Sequence, residues 1–123
     1  MTGSASETLW HIALLDDWTA ARAAGDYRIS TRGSTLDEVG FIHSSHRHQL
    51  DGVATRFYAD VTEPLVALEI DPTRVTAEIR LEPVAGPGSE EFPHIYGPLP
   101  VSAVRRAIPA RVESGALVLD EGA

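Results

Sequence analysis

Three segments of this sequence set a histidine among aromatic and apolar residues: LWHIA around His11, GFIHSS around His43 and FPHIYGP around His94. Imidazole is the side chain that ordinarily gives and takes protons near neutral pH, so three such segments in one short chain suggest a single polar site. Alternation along a strand through His11 puts Leu9, His11 and Ala13 on one face and Trp10 and Ile12 on the other. A histidine so placed either serves a site or satisfies a backbone carbonyl at a sheet edge. After His43, Ser44 and Ser45 offer hydroxyls and backbone amides at a helix start, which suits an anion or simply caps the helix. His46 and His48 add imidazoles three and five residues on, but no thiolate or paired carboxylate completes a ligand set, so no metal site is expected.

The stretch from Glu90 to Pro100, EEFPHIYGPLP, holds two acids, three prolines, a His, a Tyr and a Gly in eleven residues. Pro and Gly leave its backbone few shapes, which suits presenting His94 and Tyr96 in a fixed direction and equally suits protecting a sheet edge. Arg28 and Arg32 flank a Ser/Thr-rich loop where a phosphate or carboxylate would find a two-pronged partner. The alternative is a pair of solvated arginines.

These residues need elements to hold them. Thr8 to Ala13 reads as a first strand, followed by a helix capped at Asp16 or Asp17, with Trp18, Ala21 and Ala24 on one face and a stop at Gly25. Tyr27 to Ser30 reads as a short edge strand, and residues 31–40 as a loop with one helical turn at Leu36 to Val39. Phe41 to Ser44 alternates like a strand, and His46 to Ala59 spaces Leu50, Val53, Ala54 and Phe57 as an amphipathic helix does. From Pro64 the pattern is strand-like: 65–70, 77–84, 92–96, 104–109 and 116–119. The expectation is α+β, with two main helices on a mixed or antiparallel sheet. Residues 1–7 are expected to be disordered or extended, and residues 8–120 to form one domain.

Composition narrows the chemistry. The 123 residues carry 18 acidic against 10 basic side chains, a net charge of −8, which disfavours long nucleic acid as a partner. Every basic residue is Arg, so Schiff-base and P-loop chemistry, which need a Lys amine, are excluded. Without Cys there is no disulfide framework and no thiolate nucleophile. No apolar run approaches the ~20 residues of a membrane span, and the first residues lack the marks of a signal peptide. A cytoplasmic monomer or small homo-oligomer is expected, with no membrane partner.

Taken together, LWHIA, DW-x-AAR-x-AG-x-Y, GFIHSS, PLVALEID and FPHIYGPLPVSAV resemble a bacterial family known as domain of unknown function 952, over about Leu9 to Ile108. That resemblance implies a fold similar to the ADP-ribosyltransferase domain, a split sheet with a central cleft. In that wider fold the first strand commonly carries a His that holds the NAD ribose, and LWHI is similar to it, with Ile12 where those enzymes have Gly. RNA 2′-phosphotransferases of the same fold are similar in the order of LWHI, DW, Arg32 and FIHSS, with Ser45 in place of a second His. The resemblance also implies a Glu presented to the reacting ribose, for which Glu90 or Glu91 is the match. NAD is then a candidate cofactor.

The expected function is a small-molecule or nucleotide-binding domain with a His-lined cleft, acting as a transferase on ribose or phosphate. Its catalytic candidates are His11, His43, His94 and Glu90, and its ligand-binding candidates Trp10, Arg32, Ser44, Phe92 and Tyr96. Two alternatives stand beside it: a cofactor-free general acid/base enzyme on a carbonyl metabolite, and a non-catalytic interaction module that binds a partner through FPHIYGPLP.

Overall fold

The structure is a computed structural model that describes residues 7–84, 86 and 88–121. The expected disordered or extended N-terminus lies, apart from Glu7, outside the described residues. The chain runs β1 (Leu9–Leu14), α1 (Leu15–Ala24), β2 (Asp26–Tyr27), β3 (Ile29–Thr31), β4 (Ser34–Thr35), α2 (Leu36–Val39) and β5 (Ile42–His43). A 3-10 turn (Arg47–Gln49) then leads into α3 (Leu50–Phe57), β6 (Leu65–Ile70), β7 (Ile79–Pro83), β8 (Glu91–Ile95), β9 (Leu99–Pro100), β10 (Val104–Glu113) and β11 (Ala116–Leu119). Among the described residues no helix is long and apolar enough to cross a membrane.

Two antiparallel sheets organise the α+β fold, one in the order β1-β6-β10-β11 and one in the order β5-β8-β7. β1 and β6 are buried on both faces, which is why LWHIAL and LVALEI read as near-continuous apolar runs. Leu9, Ala13, Val66, Leu68 and Ile70 pack with Trp18 and Ala21 of α1 in one core layer. Trp10, Ile12, Leu65, Ala67 and Ile108 pack with Leu50, Val53 and Ala54 of α3 in the other. The strand alternation read from the sequence thus sorts β1 between two helix-covered faces.

Among the described residues one isolated backbone bridge joins the two sheets. Trp10 and Ser45 exchange both backbone hydrogen bonds, at 2.8 and 2.7 Å, so the chain just beyond β5 joins the free edge of β1 without a continuous ladder. That single bridge places His43 beside His11.

Several boundaries differ from expectation. α1 begins at Leu15 with Leu14 as N-cap and no side-chain cap, so Asp16 and Asp17 sit in the first turn, where their charge still favours the helix dipole. Ala24 is exposed, while Gly25 closes the helix in the left-handed region as expected. The expected edge strand at 27–30 is two short strands. Residues 31–40 hold a β3–β4 hairpin and then α2, whose Thr35–Glu38 capping box ties each side chain to the other's backbone amide. The second helix starts at Leu50 rather than His46, because the Gln49 side chain accepts from the His46 amide and the turn between is 3-10. β10 extends four residues beyond Pro109 into a hairpin with β11.

Candidate functional site

β5, β8 and β7 lie side by side, so their register decides which side chains meet. His43 stands directly opposite His94, and His94 directly opposite Arg80. Glu82, two residues along β7, is then the diagonal neighbour of His94 on the same face. The result is a chain of three side chains. His94 Nδ1 lies 2.8 Å from Glu82 Oε1, and His94 Nε2 lies 3.3 Å from His43 Nδ1. Phe41 stacks on the His94 ring at 4.0 Å between centroids, and Phe92 and Phe57 pack around the His43 ring.

The partners set the tautomers. Tyr96 and His94 both donate to Glu82 and hold its carboxyl below the usual carboxylate range, so Glu82 is an acceptor. His94 Nδ1 therefore carries a proton. In a neutral His94 the Nε2 lone pair accepts from His43 Nδ1–H, and His43 Nε2 is left as a lone pair. Burial, together with the neighbouring His11 and His94, pushes His43 down to about 4, so it is neutral at pH 7. Its Nε2 is buried and has no hydrogen-bond partner among the described residues.

His43 and His94 lie on the wall of a cleft of about 610 Å³. The aromatic rings of Phe41, Phe57 and Phe92 make its apolar side, and Gln49, Arg56 and Glu90 make its polar side. The Arg56 side chain has no ion pair or hydrogen bond among the described residues, unlike Arg32. The volume suits a metabolite-sized molecule, and such sites are mostly apolar with a few placed polar groups.

His43, His94, Glu90 and Phe92 of the expected site residues line this cleft. His11 does not. Its Nδ1 donates to the His43 carbonyl at 2.6 Å and its Nε2 accepts from the Tyr27 hydroxyl at 2.8 Å, so both nitrogens are used inside the protein. Burial pushes it down to about 4, which fits the neutral tautomer these bonds require. Trp10 is buried in the core beneath the Arg47 guanidinium. Ser44 is fully buried and donates to the Pro93 carbonyl at 2.7 Å, which ties β5 to β8 rather than facing a ligand. Arg32 is not among the residues lining the cleft, and its guanidinium pairs with Asp60 at 2.6 Å. Tyr96 lies behind His94, its hydroxyl on Glu82 and its ring under Arg80. Glu90 accepts from Gln49 Nε2 at 3.0 Å on the cleft rim, whereas Glu91 contributes its backbone carbonyl to the same amide.

Sequence reasoning passed over Glu82, Phe41, Phe57, Gln49 and Arg56. Glu78, Arg80 and Glu82 alternate with apolar residues, which marks one polar strand face, but which histidine that face meets depends on the β7–β8 register. Gln49 and Arg56 fall on the helical segment whose apolar face was legible, and Gly52 lies between them on the cleft wall. A Cβ at Gly52 would meet nothing within 4 Å. Gly52→Ala is therefore expected to stabilise the protein by about 0.5–1 kcal/mol, read as a higher urea midpoint. Gly52→Leu should fold as well yet project into the cleft, and weaken whatever ligand binds there.

The family model described as "Protein of unknown function (DUF952)" matches residues 12–107. The crystal structure of protein CC0527 from Caulobacter crescentus is similar, with 29% identity and a TM-score of 0.72, covering 94% of this chain and 95% of that one. Its solution structure gives 28% identity and a TM-score of 0.69, covering 89% and 90%. No curated protein matches the chain. With the family model spanning well over half of its length, the chain belongs to the DUF952 family.

Proposed function

We propose that this domain binds a small molecule in the 610 Å³ cleft and moves a proton there through His43, as a cofactor-free general acid/base enzyme on a carbonyl-bearing metabolite. The observation that carries this reading is the Glu82–His94–His43 chain ending at an imidazole nitrogen with no partner among the described residues. A proton taken at His43 Nε2 releases the one on Nδ1 to His94 Nε2, and the positive charge then rests beside the Glu82 carboxylate. That placement stabilises a charge that His43 alone, held neutral by burial, resists. The split sheet and its cleft also support an ADP-ribosyltransferase-like fold.

A transferase acting on ribose or phosphate is the second reading. The unpaired Arg56 guanidinium and the Glu90 carboxylate on the cleft wall favour it, since one suits a phosphate and the other a ribose hydroxyl. It asks His11 to hold NAD or ribose, however, and both His11 nitrogens are already bonded within the protein.

A thermal-shift screen separates the two. A ligand at 100 times its dissociation constant adds about 2.7 kcal/mol of stability. Stabilisation by a carbonyl metabolite, lost in His43→Ala and unaffected by NAD, is the expected result. Stabilisation by NAD, ADP-ribose or a phosphorylated sugar, lost in Arg56→Ala, would replace it with the transferase reading. Silence from every compound would sink both and turn attention to a protein partner for FPHIYGPLP.

A further inference from the structure

Among the described residues two buried side-chain polar atoms have no hydrogen-bond partner, Ser30 Oγ and His43 Nε2. Unpaired buried polar atoms are uncommon, because each forfeits its hydration without recovering it. Here the two orphans are neighbours. Ser30 on β3 and His43 on β5 both line the main cleft, and both also line a second, small chamber beside it.

The chamber measures about 10 Å³, close to the ~10–15 Å³ that accommodates one water molecule. Its other walls include Ile12, Val53, His11 and Tyr58. His11 has no spare nitrogen, and the Tyr58 hydroxyl donates to the Ile12 carbonyl at 3.1 Å. Thr31 and Ser45 also line the chamber, but the side-chain atoms buried there without a partner among the described residues are the His43 Nε2 lone pair and the hydroxyl of Ser30, itself 1% exposed, a complementary pair to grip a single oxygen.

We infer that this chamber is a built site for one water molecule, which donates to His43 Nε2 and accepts from the Ser30 hydroxyl, and that His43 exchanges protons with the main cleft through it. The inference goes beyond the proposed function, since it holds whatever the main cleft binds. It assigns Ser30 a positioning role that no motif suggested: the hydroxyl orients a water against a buried base, so His43 works on water rather than directly on the ligand. A bare imidazole nitrogen sunk below the cleft surface has little other way of reaching a cleft ligand.

The test is a crystal structure of the full chain at a resolution that shows ordered water, for the wild type and Ser30→Ala. The wild type should show one peak within about 2.7–3.2 Å of both Ser30 Oγ and His43 Nε2. In Ser30→Ala that peak should weaken or vanish while the His11–Tyr27 bond stays in place. Ring-nitrogen NMR of the wild type gives a second reading that does not depend on the variant folding. His43 should carry its proton on Nδ1, with Nε2 unprotonated and in contact with a slowly exchanging water. An absent peak, a water on Ser30 alone, a direct Ser30–His43 bond, or a proton on His43 Nε2 at neutral pH would each overturn the inference. A ligand screen that fails leaves these readouts untouched, so the two failures are distinguishable.

Discussion

Lowering the pH from neutral toward 4 is expected to destabilise this protein steeply, well before its carboxylates protonate. His11 and His43 each have a pKa lowered from 6.5 to about 4, His11 because burial disfavours its charged form, His43 through burial together with the neighbouring imidazoles of His11 and His94, beside which a further positive charge is disfavoured. The unfolded chain binds protons at both sites between those limits and the folded chain does not. Stability therefore rises with pH across this window, is complete above about pH 6.5, and falls progressively until the folded-state values near 4 are reached. For fully buried His11 the shift corresponds to about 3 kcal/mol. His43 adds a smaller, coupled share, since it lies against both His11 and His94. Glu82, held low by Tyr96 and His94, pushes in the same direction once the pH drops through the ordinary carboxylate range. Urea unfolding at half-unit steps from pH 7.5 to 4 checks this, and a flat profile down to pH 5 would show that the histidines are charged or solvated in the folded state.

Replacing His11 by Ala is the substitution in the histidine cluster expected to cost most stability, on the order of 3–5 kcal/mol. The change strips two buried groups of their partners, the Tyr27 hydroxyl and the His43 carbonyl, and opens a cavity between β1 and β2. Tyr27 is 1% exposed, so water does not readily replace the lost bond. His43→Ala removes a half-buried ring bonded only to His94 and should cost clearly less while abolishing ligand stabilisation. Denaturation midpoints for the two variants, set beside their ligand-induced shifts, tell a structural histidine from a working one. If His11→Ala kept its midpoint and lost only ligand binding, the engaged hydrogen bonds around His11 would have been misjudged and the ribose-holding role would return.

The histidines were visible as a group in the sequence because each sits in an aromatic, strand-like segment, and the structure does bring His11, His43 and His94 into one cluster. Their ranking was not visible. His11 and His43 occupy similar contexts, XHI and IHS, yet one is saturated within the core and the other ends a hydrogen-bond chain with a free nitrogen. That difference comes from Tyr27, sixteen residues from His11, and from the Trp10–Ser45 bridge that carries the His43 carbonyl to His11. Arg32 and Ser44 looked like anion binders by residue type, but Asp60 and the Pro93 carbonyl claim them. Residue type states what a side chain offers, and only its neighbours determine whether the offer is already taken.

What the sequence determined by itself follows from local physics. Near-continuous apolar runs made β1 and β6 strands buried on both faces, a helical period placed α3, and Gly25 and the Thr35–Glu38 box ended and began helices where their chemistry required. The absence of Lys and Cys excluded whole classes of covalent chemistry before any fold was known. What the tertiary structure alone decided is nonlocal: the β5–β8–β7 register that aligns His43, His94 and Glu82, and the packing of β3 against β5 and β1 that buries Ser30 beside His43. A shift of one residue in that register would turn His94 to the opposite face, and no single segment contains the information that prevents it.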